Sequence, residues 1–200
     1  HLLLDGVLVW TSANRSGEPI CRDVAEAAER LVGVVELWLG HDRPNPLPCD
    51  DSVVRRLGDR VVPVRRSRGL VPVAIELADP VVPTLALGGD LKATVCVAAG
   101  DRALLSQLLG DQGCFEARRA VCDTIETLLS LTGVTPERLA IDAHPGYASG
   151  SLGRSLAAER GLALVEVQHH HAHLAALAAE HGSTPRDPLV GIVADGIGYG

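Results

Sequence analysis

Apolar residues come in short bursts along the chain, and the spacing within each burst predicts its conformation. Residues 7–10 form an apolar run that enters the polar turn Thr11-Ser12-Ala13-Asn14, the pattern of a buried strand. Residues 23–32 have Ala-rich helical spacing and stop at Gly33. Residues 34–39 return to a strand pattern. Pro44, Pro46 and Pro48 make the next stretch a loop, because proline cannot donate to a ladder. Residues 52–57 and 60–66 read as a hairpin around Gly58-Asp59. Pro72, Pro80 and Pro83 then predict a linker over 76–83. Beyond it the pattern alternates. Strands are expected at 84–87, 93–99, 139–142, 162–167 and 189–194, and helices at 114–131, 154–160 and 169–180. That alternation predicts an α/β layered fold.

Composition narrows the core and the partners. Hydrophobic residues make up 46% of the 200 and aromatic residues only 2%, so the core is expected to be aliphatic. The net charge of −7 argues against a broad nucleic-acid surface. Six arginines between Arg55 and Arg68 suit a bound phosphate, or equally a solvated hairpin face. The five cysteines, Cys21, Cys49, Cys96, Cys114 and Cys122, are odd in number and contain no C-x-x-C pair, which fits free thiols in a reducing cytoplasm. No apolar run reaches the roughly 18 residues of a membrane span. The chain opens inside an apolar run and closes in a glycine-rich turn, so it reads as a segment cut at both ends.

Four places can carry chemistry. In Gln168-His169-His170-His171-Ala172-His173, His169 and His173 share a helix face at i, i+4 and can reach one metal ion. The plainer reading is a polar helix start. Asp195 ends an apolar run and opens Asp-Gly-Ile-Gly-Tyr-Gly. It is a candidate third ligand, with Gly196 and Gly198 letting backbone N–H groups approach a phosphate, or else part of an ordinary turn. Lys92, the only lysine, sits in Gly88-Gly89-Asp90-Leu91-Lys92, which suits phosphate oxygens or a plain hairpin turn. The run Thr11 to Pro19 offers hydroxyl and amide groups to a polar ligand, or is a surface loop.

Taken in order, these motifs resemble the nickel–iron hydrogenase maturation carbamoyltransferase (HypF-type) family. Thr11-Ser12-Ala13-Asn14-x-Ser16-Gly17-Glu18-Pro19-Ile20 resembles the nucleotide-site motif of the YrdC-like domain, as do His41-Asp42-Arg43-Pro44, Asp50-Asp51-Ser52 and Arg65-Arg66-Ser67-Arg68-Gly69. Gly88 to Thr94, Asp142-x-His144-Pro145-Gly146-Tyr147, Gln168 to His173 and Asp195 to Gly200 resemble the family's second catalytic domain. The resemblance implies the C-terminal part of a YrdC-like α/β domain over 1–75 and a linker over 76–83. Over 84–200 it implies the N-terminal part of an actin-like ATPase (ribonuclease H-like) α/β domain. The adenylating half comes first, whereas the related antibiotic O-carbamoyltransferases carry the reverse order.

The implied chemistry has two steps. ATP, with magnesium, and carbamoyl phosphate give carbamoyl-adenylate. The carbamoyl group then passes to the C-terminal cysteine of a hydrogenase maturation partner, on the way to the cyanide ligand of the nickel–iron site. Residue by residue, Ser12, Asn14, Ser52, Arg66, Arg68, Gly196 and Gly198 would bind ATP or phosphate. Lys92 and Asp195 would act in catalysis, and His169, His173 and Asp195 would hold one divalent metal, zinc or iron. A cytoplasmic enzyme follows, with no membrane or nucleic-acid partner. Pro48 stands where the family usually has arginine, and Asp90 and Ala93 where it has Glu and Asn. The segment alone is expected to be inactive. The alternatives are threonylcarbamoyl transfer, O-carbamoylation of a small molecule, and an RNA-binding YrdC-like module whose affinity would fall steeply with salt.

Overall fold

The computed structural model describes residues 6–199 other than Leu8, Trp10, Gly17, Pro44, Pro46 and Pro185. Its elements are α1 (Val24–Arg30), β1 (Val53–Leu57), β2 (Arg60–Arg65), β3 (Ala74–Leu87), β4 (Val95–Leu105), α2 (Phe115–Thr132), β5 (Arg138–Asp142), α3 (Ala148–Arg160), β6 (Ala163–Val167) and α4 (His169–Glu180). The α/β expectation holds.

The N-terminal part is mostly irregular chain around α1. Asp23 caps this helix by accepting from the Glu26 N–H at 2.8 Å, and Glu26 reaches back to the Arg22 N–H at 2.8 Å. Arg30, in the last turn, ties α1 to the preceding loop through Glu18 Oε2 and the Pro19 carbonyl, each at 2.8 Å. β1 and β2 form the expected hairpin, with an irregular register between Val53 and Val54.

The larger sheet has the order β4-β3-β5-β6. β3 pairs antiparallel with β4 and parallel with β5, and β5 pairs parallel with β6. Every second residue points inward, as the strand period of two requires. Leu85 and Leu87, Val95 and Val97, and Leu139 and Ile141 are all buried. α2 covers this face with Ala117, Ala120, Val121, Thr124, Ile125 and Leu128, spaced as one helical stripe. α3 adds Leu156 and Ala157. The buried cluster is aliphatic, as the composition predicts. Gly133, at φ +67°, stops α2 in the left-handed conformation.

The structure corrects four expectations. Residues 76–83 are not a free linker, because they lie within β3. Pro80 and Pro83 fall where the β3–β4 register shifts, so they remove no regular ladder bond. Residues 34–39 form no strand, and Leu37 and Leu39 are exposed. Residues 189–194 form none either. Gly191 packs against Leu174 of α4, while Val190 and Ile192 face outward. In both stretches an apolar pattern lacks a neighbouring strand among the described residues, and a strand exists only through its ladder. α3 begins at Ala148, six residues before the expected start at 154. The expected strand over 7–10 falls partly on Leu8 and Trp10, outside the described residues, and Val7 and Val9 are in no strand.

The two parts meet through specific polar contacts. Arg22 Nη1 lies 2.8 Å from Asp123 Oδ2 on α2. Gln107 donates to the Pro48 carbonyl at 3.2 Å, and the Leu108 N–H to the Arg66 carbonyl at 3.3 Å.

Candidate functional site

Three parallel strands end at one edge of the sheet. β3 runs into Gly88-Gly89, β5 ends in Asp142, and β6 leads through Gln168 into α4. Ligand sites in open α/β sheets form at such carboxyl ends. Gln168 opens α4 as its N-cap, accepting from the His171 N–H at 2.6 Å. One helical turn separates His169 from His173, so both rings project to one side.

Asp195 closes the cluster. Its Oδ2 lies 2.8 Å from His169 Nε2 and 3.7 Å from His173 Nε2, and the two Nε2 atoms are 3.2 Å apart. These donor atoms lie within 4.8 Å of one another. Zinc bonds of about 2.0–2.1 Å in tetrahedral geometry imply ligand separations of about 3.3 Å. The three observed distances bracket that value, and two imidazoles plus a carboxylate suit zinc or iron. The residues therefore fit a divalent cation. The Gly196 N–H donates to Asp195 Oδ1 at 2.6 Å. This bond, followed by the neighbouring histidines, holds the Asp195 carboxyl below its usual range despite some desolvation.

Other groups crowd the same edge. His169 Nδ1 meets Asp142 Oδ2 at 2.6 Å. His144 stacks on Tyr147 with centroids 4.0 Å apart. Burial, then the charges of Asp142, Asp90 and Asp195, push the Tyr147 phenol above its ordinary range, so it remains a donor at neutral pH. A Cβ on Gly89 would press on Tyr147 at 3.2 Å, so a side chain there needs the Tyr147 ring to give, while His169 at 3.9 Å stays in ordinary contact.

The remaining sequence candidates divide between this site and another place. Gly196 and Gly198 belong to the cluster, but the Gly196 N–H is engaged by Asp195. Gly198 packs so close to His169, His170 and Asp195 that a Cβ would lie 2.6–2.9 Å from them. Lys92 does not join them. It lies in a left-handed turn at φ +51°, its N–H donates to Asp111, and it lines a cavity of about 330 Å³ with Ser12, Asn14, Asp50 and Arg65. Ser12 donates to Asn14 Oδ1, and the Asn14 amide donates to the Arg15 and Glu18 carbonyls at 3.0 Å. The Ser52 hydroxyl is used within the fold, donating to the Arg68 carbonyl and accepting from the Ser67 N–H, each at 2.9 Å. Arg68 lines a second cavity with His41, Arg43 and Pro48, and Arg66 is half-buried nearby in the chain. Three arginines of the run are held in ion pairs. Arg56 pairs with Asp59 at the hairpin tip, Arg65 with Asp50 and Arg68 with Asp51 at its base.

Sequence reasoning missed the individual roles of Asp142 and Asp90. Asp142 carried the same signal as Asp195, an acid ending an apolar run. Asp90 spans the sheet edge to accept from the Ala148 and Ser149 N–H groups at 2.8 and 2.9 Å, capping α3. No local pattern reveals a cap supplied from 58 residues away.

Comparison with known proteins covers the whole chain. A family model described as the HypF Kae1-like domain matches residues 79–180, and one described as telomere recombination (Sua5, YciO, YrdC) matches residues 1–67. Carbamoyltransferase HypF2 of Cupriavidus necator is 45% identical over 97% of this chain and 24% of its own length. Carbamoyltransferase HypF of Rhizobium leguminosarum bv. viciae is 38% identical over 100% of this chain and 27% of its own. The chain thus spans about a quarter of the length of the curated relatives it matches. A full-length HypF crystallised in a phosphate- and nucleotide-bound form superposes with TM-score 0.86 at 39% identity, over 95% of this chain and 29% of that one. The HypF of T. kodakarensis gives 0.85 at 34% identity, over 95% and 24%.

Proposed function

Because the chain belongs to the HypF carbamoyltransferase family, we propose that it joins two halves of a carbamoyl-transfer enzyme of hydrogenase maturation. Residues 1–75 contribute to an adenylating site that uses ATP and carbamoyl phosphate. Residues 84–200 contribute to a transfer site that delivers the carbamoyl group to the C-terminal cysteine of a partner protein in the cytoplasm. The observation that carries this reading is the convergence of His169, His173 and Asp195 at the carboxyl ends of the parallel strands. A divalent cation held there would offset charge on the phosphate of the AMP that leaves as the carbamoyl group is transferred.

This chain's own residues supply the rest. His169 and His173 hold their rings from one helix face. Gly89 and Gly198 keep the cluster closely packed. Tyr147, protonated at neutral pH, offers a donor beside it. On the adenylating side, Ser12, Asn14 and Arg68 line cavities that can take polar substrates, and Lys92 lines the same cavity as Ser12 and Asn14. The phosphate- and nucleotide-bound state of a related HypF supports nucleotide use here. The net charge of −7 and the pairing of Arg56, Arg65 and Arg68 with nearby acids disfavour the RNA-binding alternative. No helix among the described residues is long and apolar enough to cross a membrane.

ATP–pyrophosphate exchange in the complete protein tests the reading. Exchange is expected with carbamoyl phosphate and not with bicarbonate plus threonine. Exchange with bicarbonate and threonine alone would move the protein to threonylcarbamoyl chemistry, and exchange with neither would remove the adenylating function.

A further inference from the structure

Asp142 is not one of the three converging ligands, yet it is the best-enclosed acid at the site. Its side chain is only 7% exposed. It ends β5 and pairs with Val167 of β6, so the sheet fixes its backbone. Its two oxygens have separate partners. Oδ1 accepts from the His144 N–H at 2.8 Å, and Oδ2 lies 2.6 Å from His169 Nδ1. Gly89 closes over the pair, leaving a hypothetical Cβ 3.8 Å from Asp142 Oδ2 and 3.9 Å from His169 Cε1.

An ionised carboxylate can only accept, so the hydrogen of this bond sits on His169 Nδ1. A neutral imidazole with hydrogen on Nδ1 has its lone pair on Nε2. That atom faces Asp195 Oδ2 at 2.8 Å and His173 Nε2 at 3.2 Å, so its lone pair serves as a ligand when a cation lies between it and the Asp195 carboxylate. We infer that Asp142 is a positioning residue that fixes the tautomer and ring orientation of His169 and so presents Nε2 to a divalent cation. The inference rests on the metal reading of the cluster. Asp142 acts through His169 and contacts no reacting atom.

A purely structural role is the competing account, since the bond to the His144 N–H also shapes the entry to α3. Asp142→Asn separates the two. The amide keeps an oxygen for the His144 N–H and turns its NH2 toward His169. The ring then accepts at Nδ1 and carries its hydrogen on Nε2, which points into the cation site.

The test is zinc(II) affinity by competition with a chromophoric chelator, measured for wild type, Asp142→Asn and His173→Ala. Asp142→Asn is expected to weaken binding by about 10–100-fold, the usual cost of losing such a partner, with thermal unfolding unchanged. His169 Nδ1–H should give a strongly downfield proton resonance in zinc-loaded wild type that is absent from Asp142→Asn. Wild-type affinity in Asp142→Asn, with weaker binding in His173→Ala, would overturn the positioning role alone. Equal, weak binding in wild type and His173→Ala would overturn the metal reading itself. If Asp142→Asn fails to fold, nitrogen-15 shifts of His169 in zinc-loaded wild type decide the matter. The metal on Nε2 with hydrogen on Nδ1 is expected, and coordination through Nδ1 overturns the inference.

Discussion

At the scale of the residue, the site depends on glycine as much as on histidine. A Cβ at Gly198 would sit 2.6 Å from His170 Nε2, 2.8 Å from His169 Cδ2 and 2.9 Å from Asp195 Oδ2. Gly198→Ala must therefore displace a ligand, and zinc affinity should fall by about tenfold or more, the scale of losing support for a ligand. Unchanged affinity would mean that the loop, and not the ligands, moves aside. Cys96 illustrates burial acting on one group. Desolvation within β4 pushes its thiol up to about 11, so it is protonated at neutral pH. It should react with a thiol reagent far more slowly in the native protein than in urea, and equal rates would place it at the surface. The convergence of His169, His173 and Asp195 was legible in the sequence because helical spacing and an acid closing an apolar run are local signals. Asp142 carried the second signal too, but its partner lies 27 positions away and only the parallel register of β5 and β6 brings the two together.

At the scale of the element, close approach and ion pairing set the stability of two helices. α3 lies against β5 at Gly153, where a Cβ would collide with Ile141 and press on Leu139 and Leu87. Isoleucine is stiff at χ1 and yields poorly. Gly153→Ala should destabilise the fold by about 1–3 kcal/mol, because overpacking outweighs the gain of about 1 kcal/mol in helix propensity. Thermal unfolding measures it, and a raised Tm would contradict the packing. α1 depends on Glu26. Burial raises its carboxyl pKa, but the Arg22 N–H and the Arg30 guanidinium outweigh that and leave it below its usual range. A depressed acid stabilises the fold above its unfolded pKa of about 4.3 and loses that contribution as pH falls through the folded value. Glu26→Gln should therefore reduce the drop in stability below about pH 4. An unchanged acid limb in denaturation would exclude this ion-pair group. The sequence located most helices and strands but misplaced the start of α3. Ala148-Ser149-Gly150-Ser151 has weak helix propensity, and the distant Asp90 starts the helix.

At the scale of the whole molecule, two patterned halves are held together by few polar contacts. Arg22 and Asp123 are about one-third exposed, so their coupling is discounted for solvent and should reach only about 0.5–1 kcal/mol in a double-mutant cycle. Strict additivity would remove the pair from the interface. A division of labour follows from the proposed function. If the cluster holds a divalent metal as proposed, stripping it with a chelator and then restoring magnesium should abolish carbamoyl transfer while leaving ATP–pyrophosphate exchange intact. Loss of both would tie the cluster to adenylation. Two runs of motifs were legible, and separate family models match them over residues 1–67 and 79–180. The connection was not. Pro72, Pro80 and Pro83 read as a linker, whereas β3 runs through residues 76–83 and admits two of these prolines at irregularities of its ladder.

That continuous strand limits how the halves can be separated or recombined. The matched families end at residue 67 and resume at 79, and the first part of β3 falls between them. Ala74 and Ile75 pair with Leu104 and Ala103 of β4. A graft joined at residue 79 would leave the outer end of β4 unpartnered and exposed to another chain. An exchange of halves between relatives is better spliced between Ser67 and Ala74, ahead of the strand, so that the seam carries the whole of β3 along with the sheet it serves.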